Sequence, residues 1–313
     1  MVEGVVQGSG SQGRRLHDRA ASVAGSTKSG LISSWRIIRG SPLSMFGFGL
    51  VILYLAVSVA VIVAGRFILP YGPNQLNAGI PLSPPSFSHP FGTDNLGRDI
   101  FTRVLAATPL DLGIGIGVAS LAMAIGGFIG LIAGFQGGMV DSVLMRITDI
   151  FLSIPSLILA LAISVALGPS VVHSIEAISF VWWASYARLA RGQALSTKNQ
   201  LYVVAARASG TKEYVILGRH VFRNIFDTLF IYMTMDIGTV ILTFSTLSFL
   251  GVGIQPPTAE WGSMVINGNY YITTQPWIPL IPGFAIFFAV FAFSLIGDVL
   301  RDVLDPKTRK SMI

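Results

Sequence analysis

Several carboxylic acids fall within or at the ends of long apolar stretches, among them Asp111, Asp149, Glu176, Asp236 and Asp298. A carboxyl carried to hydrocarbon depth is costly, so such groups mark ion pathways, proton relays or buried pairings. A relay needs several of them stacked at one depth, and their positions along the runs predict otherwise. Asp111 and Asp298 fall close to span ends, where snorkelling or a helix terminus accounts for them. Asp149 and Asp236 are expected one or two turns inside from the cytoplasmic side, and Glu176 near the outer surface. Asp149 is expected to pair with Arg146 or with a neighbouring subunit. No acid is expected at the midplane.

Other chemistry is missing from the sequence. The four histidines, His17, His89, His173 and His220, fall on different segments with no metal-ligand spacing. There is no cysteine, hence no thiol chemistry and no disulfide. Neither a G-x-x-x-x-G-K-[ST] phosphate loop nor a G-x-S-x-G or H-E-x-x-H pattern occurs. No catalytic residue, no metal ligand and no cofactor is therefore expected in this chain.

What remains is a basic, polar stretch at 192–224, flanked on both sides by membrane-grade apolar runs. With Arg188 and Arg191 at its entrance it carries seven basic residues. It is expected to be a cytoplasmic loop that docks onto a partner.

The elements that position these groups follow from composition. Of 313 residues 52% are hydrophobic and 12% charged, against about 25% charged in a typical soluble domain. The mean hydropathy is +0.68, so lipid is the expected solvent. Six apolar runs predict an all-α polytopic protein with spans at 45–69, 108–135, 144–167, 174–189, 225–253 and 277–299. Gly126, Gly130 and Gly134 recur at four-residue spacing in the second run, which lets a neighbouring helix approach closely.

The net charge of +6 is distributed between the runs rather than on one face, which argues for topology and against nucleic acid. With both termini in the cytoplasm, 18 of the 21 lysines and arginines lie inside. Residues 1–30 are read as a disordered tail and 31–44 as an interfacial helix that lies on the bilayer surface. An outer excursion spans 70–107, a five-span core 108–300 and a cytoplasmic tail 301–313. A second outer segment, 254–276, is rich in Trp and Tyr and is expected to be a lid or docking surface.

Several segments then resemble a known family. His-Pro-Phe-Gly-Thr-Asp-Asn-Leu-Gly-Arg-Asp at 89–99 is similar to the HPxGTDxxGRD signature of the second permease subunit of dipeptide/oligopeptide/nickel ABC importers. The segments 134–141, 145–155, 247–257, 260–262 and 297–306 resemble its GYxGGxxD, MRxxDxxxxxP, LSFLGxGxxPP, EWG and GDxLRDxLDP motifs in the same order.

The resemblance implies a type I importer permease fold. It implies as partners a homologous permease, two ATP-binding subunits that hold ATP and Mg, and an extracytoplasmic solute-binding protein. It also implies that the basic stretch is the ATPase-coupling loop, with Val204, Ala205, Ala206, Arg207, Gly210, Lys212, Arg219 and Arg223 at the contact. Val204 stands where the general motif has glutamate. Phe222-Arg223 replaces the usual Leu-Pro, so the helix is expected to run smoothly into span five. Thr239, Thr243, Phe244 and Thr246 are expected to face the pathway. No acid stands just before the LSFLG segment, which points to a neutral or zwitterionic cargo. Peptides are the expected solute and oligosaccharides the alternative. An ion-driven secondary transporter is the rival of another class, and it requires inverted repeats and midplane acids.

Overall fold

Asp99 starts the longest helix. Its Oδ2 accepts the amide of Thr102 at 2.7 Å, a side-chain cap that satisfies a free helix N–H. In the computed structural model, which describes residues 41–304, the helix that follows runs over 37 residues, Ile100–Gln136. It is numbered α2, after α1 at Pro42–Ile68. Residues 100–107, expected in the outer excursion, are therefore helical. The tail 1–30, residues 31–40 of the expected interfacial helix and residues 305–313 lie outside the described residues; 42–44 belong to α1.

The third expected span is not straight. α3 (Gly138–Ser153) and α4 (Ser156–Leu167) meet at 84°. Pro155 lacks an amide hydrogen and forces Ile154 out of the helical region, to φ −104°, ψ 133°. The next helix, α5 at Val171–Lys198, extends nine residues past the run expected to end at 189. Polar side chains on its inner end account for the difference: they find partners on α3 and α2. Then come α6 (Leu201–Ala208), the short α7 (Glu213–Val215) and a π-helical turn, Ile216–Phe222. That turn leads without a break into α8 (Arg223–Phe249). α9 (Trp261–Gly268) lies in the second outer segment, and α10 (Trp277–Leu304) closes the fold. Among the described residues four helices are long and apolar enough to cross a membrane, or five if the bent α3–α4 pair is one span.

The core is the seam between α2 and α5. A methyl group added at Gly126 or Gly130 would overlap the carbonyl oxygens of Trp183 and Ala187, and at Gly134 it would lie 2.6 Å from that of Arg191. The glycine spacing thus does what its pattern predicts, bringing two backbones into contact. Lys198 Nζ donates to the Gly134 carbonyl at 2.7 Å and fixes the inner end of the seam. Arg191 forks onto Asp141 of α3 at 3.0 and 2.6 Å. Arg188 reaches Asp149 at 2.5 Å, so the partner of Asp149 is Arg188 rather than Arg146. Arg188 and Arg191, counted with the docking loop on charge alone, instead fasten α5 to α3.

The outer segments pack on themselves. Asp94 Oδ1 accepts the amides of Leu96 and Arg98, each at 2.9 Å, and its Oδ2 pairs with Arg98 Nε at 2.6 Å. His89 Nδ1 lies 2.9 Å from Asp99 Oδ1, and its ring stacks on Tyr71. Gly92 and Gly97 adopt φ of +74° and +68°, where a side chain would be strained. In the second outer segment Glu260 caps α9 by accepting the amides of Gly262 and Ser263, both at 2.7 Å. Trp261 is fully buried; its indole donates to the Val104 carbonyl at 3.1 Å. Its amide donates to Asp111 at 3.2 Å. Residues 260–264 are thus a buried wedge, not the lid expected from their aromatic content, although Tyr270 beyond them is exposed. Asp111 is likewise fully enclosed rather than snorkelling at a span end. Burial pushes the Glu260 carboxyl above the usual carboxylate range, against the pull of the Ser263 and Gly262 amides.

Candidate coupling surface and transport face

The loop at 201–223 is built from two short helical pieces and a left-handed turn. α6 ends in a Schellman motif: Thr211 N–H donates to the Ala206 carbonyl at 3.1 Å and Gly210 N–H to that of Arg207 at 3.0 Å. This geometry requires φ of +76° at Gly210, and the space above its Cα is open. Across the turn Arg207 pairs with Glu213 at 2.7 and 3.1 Å, clamping α6 to α7. That hydrogen bond holds the Arg207 guanidinium above its ordinary pKa.

Only a few residues anchor the loop to the rest of the chain. Val203, Ile216 and Val221 are fully buried. Val204, Ala205, Arg207, Gly210, Lys212, Arg219 and Arg223 are exposed, and Ala206 is half-buried. Between the charges sit large apolar side chains facing outward: Leu201 at 87% exposure, Tyr214 at 69% and Val204 at 49%. Exposed apolar groups rimmed by charges mark a surface that meets a protein partner or a membrane. Arg207 differs from the other three cations of the loop: its fork is already occupied by Glu213.

The four residues expected at the pathway all lie on α8: Thr239, Thr243 and Thr246 share one face at spacings of four and three, and Phe244 lies off it. Thr239 is exposed and Thr246 half-buried, with Thr243 buried between them. The last two hydroxyls bond back to the helix, Thr243 to the Thr239 carbonyl at 2.8 Å and Thr246 to that of Leu242 at 2.7 Å. Phe244 points into the protein and is 1% exposed. Thr239 also lines a cavity of about 320 Å³ at the α3–α4 bend, shared with Pro155, Trp182, Ser185, Tyr232 and Asp236.

With this geometry in view, a family model described as "binding-protein-dependent transport system inner membrane component" matches residues 126–310. The chain belongs to this family. It is 41% identical over 271 residues to a probable D,D-dipeptide transport system permease protein of Escherichia coli (strain K12), covering 87% of this chain and 90% of that one. An oligopeptide transport system permease protein of Bacillus subtilis (strain 168) is 38% identical over 273 residues, 87% and 88% of the two chains. A nickel transport system permease protein of Escherichia coli (strain K12) is 38% identical over 263 residues, 84% and 95%. The protein is a polytopic permease of an ABC transporter, the non-catalytic membrane component.

Sequence reasoning missed one part of this permease. Asp236, expected near the cytoplasmic side, lies thirteen residues from each end of α8, at half-height. Its Oδ2 accepts the indole N–H of Trp182 at 2.8 Å and the hydroxyl of Tyr186 at 2.9 Å. The Trp182-Trp183 pair within the run at 174–189 was the available signal: a buried indole N–H needs an acceptor.

Proposed function

We propose that this permease pairs with a homologous permease in the cytoplasmic membrane and imports di- or oligopeptides delivered by an extracytoplasmic solute-binding protein. Two separate ATP-binding subunits, which carry the ATP and Mg, drive it through the surface formed by α6, the Gly210 turn and α7. Closure of the ATPase pair displaces this surface, and the helices behind it convert the displacement into alternating access. In this reading six segments cross the bilayer: α1, α2, the bent α3–α4 pair, α5, α8 and α10. The 28 residues of α5 reach about 42 Å at 1.5 Å each, more than the roughly 30 Å hydrocarbon core. Both termini face the cytoplasm on the distribution of lysine and arginine.

The observation that carries the coupling role is the loop's pre-folded but outward-facing construction. A loop that served only as a connector would not place Leu201, Val204 and Tyr214 in water. The peptide class rests on the names of the D,D-dipeptide and oligopeptide relatives. Calorimetry on the binding protein of the same complex tests it: peptide titrations are expected to give binding heats. A binding protein that takes only an oligosaccharide or a nickel chelate overturns the peptide reading. Gly210→Trp tests the loop. A left-handed tryptophan costs about 1–2 kcal/mol and projects into the open space where a partner would sit. ATP hydrolysis is expected to continue without solute uptake in proteoliposomes. Wild-type coupling in that variant would remove Gly210 from the docking surface.

A further inference from the structure

Asp236 is a buried acid without a basic partner among the described residues. Both of its recorded donors, Trp182 Nε1 and Tyr186 Oη, are neutral and both are spent on Oδ2. Among the described residues no lysine, arginine or histidine forms an ion pair with it. A carboxylate at mid-helix depth is retained when a cation reaches it, from the protein or from what passes through. Among the described residues none does, and the carboxylate borders an open cavity.

The cavity has the size and lining for a small organic cation. Its volume of about 320 Å³ lies at the lower end of the range for ligand pockets. Phe151, Trp182 and Tyr232 present aromatic surface, while Ser185 and Thr239 add hydroxyls. Aromatic faces attract ammonium groups, whereas hard metal ions require a cage of oxygens. Pro155 opens the space by turning α4 away from α3. The site also lies on a polar stripe: Tyr232, Asp236, Thr239 and Thr243 follow one another at spacings of three or four along α8, which places them on one face. Transporters commonly hold their solute near the bilayer midplane, beside interrupted helices.

We propose that this half-height cavity is a subsite for an ammonium group of the solute in transit, with Asp236 as its counter-charge. The inference rests on reading the α8 stripe as the transport face. It sharpens the cargo expected from the sequence: a zwitterion whose amine is recognised on α8 two turns before Thr243.

The test uses the assembled transporter with its partner subunits. Thermal unfolding of the detergent-purified complex is followed in n-butylammonium chloride, with equal sodium chloride and n-butanol as controls. The wild type is expected to gain melting temperature with the amine alone. Asp236→Asn, which preserves an acceptor for Trp182 and Tyr186, is expected to lose that gain, and Asp236→Glu to keep part of it. Equal shifts in wild type and Asp236→Asn, or no amine-specific shift in the wild type, overturn the proposal. If the asparagine variant does not assemble, loss of the shift in the glutamate variant overturns it instead.

The second readout is uptake of an unblocked dipeptide into proteoliposomes. Peptide imported per ATP hydrolysed is expected to fall by roughly tenfold or more in Asp236→Asn, with partial recovery in Asp236→Glu. Wild-type uptake in Asp236→Asn overturns the proposal. If the wild type imports no peptide, the peptide reading has failed while the amine-dependent shift still decides the subsite.

Discussion

The two ends of this permease use motif residues in opposite ways. On the outer side, residues of the 89–99 and 260–262 segments are spent on the chain itself: Asp94 holds Arg98, Asp99 caps α2, and Trp261 is fully buried. In the 201–223 loop most side chains are exposed, and Val203, Ile216 and Val221 are the fully buried ones. A motif is thus not one kind of signal. The 89–99 and 260–262 motifs specify a fold, whereas the loop motif, on the function proposed above, offers a surface to another chain. The contrast also separates two kinds of mutational failure, loss of the folded permease and loss of coupling in a folded one.

The largest expected effect is on the outer side. Trp261→Ala removes a buried indole and its bond to the Val104 carbonyl, and is expected to cost about 3–5 kcal/mol. Lowered yield and melting temperature of the detergent-purified complex would report it. A stable variant with normal melting would break the contrast, because Trp261 would then be placed for a partner rather than for the fold.

A smaller effect sharpens the same contrast through pH. The folded pKa of Glu260 is raised by burial, so its folded state favours the protonated form. Stability from this group is full below the unfolded value of about 4.3. It is lost as pH rises through the elevated folded value. Glu260→Gln removes the titration. The melting temperature of the wild type relative to this variant is expected to fall with rising pH; a difference that rises instead would contradict it.

The smallest effect on stability is predicted at the inner loop. Arg207 and Glu213 pair in full contact with solvent, and exposed pairs contribute little. Arg207→Ala is expected to leave the melting temperature nearly unchanged while reducing solute uptake per ATP, because the clamp between α6 and α7 is lost. Collapse of the fold in this variant would place the loop in the same class as the outer segments.

Much of this architecture is legible in the sequence, because its signals are local. Apolar runs long enough to cross a bilayer are visible one window at a time, and Gly126, Gly130 and Gly134 announce a close helix contact by spacing alone. Pairings between distant residues are not visible in the same way. Arg188 reaches Asp149 and Arg191 reaches Asp141 across 39 and 50 residues, so charge counting assigned both arginines to the loop. Hydropathy sums composition and is blind to direction, which is why 144–167 reads as one span although Pro155 turns it by 84°.

The α2–α5 seam has a mechanical consequence. At 37 residues, α2 is about 55 Å long, and it begins at the cap provided by Asp99 in the outer knot. Its partner α5 ends at Lys198, bonded to Gly134 and only a few residues from α6. Sliding one helix along the other would drive the carbonyl oxygens of Trp183 and Ala187 against residues that, unlike Gly126 and Gly130, carry side chains. The pair therefore behaves as a strut with notches: it can tilt or rotate as a body, but it cannot telescope.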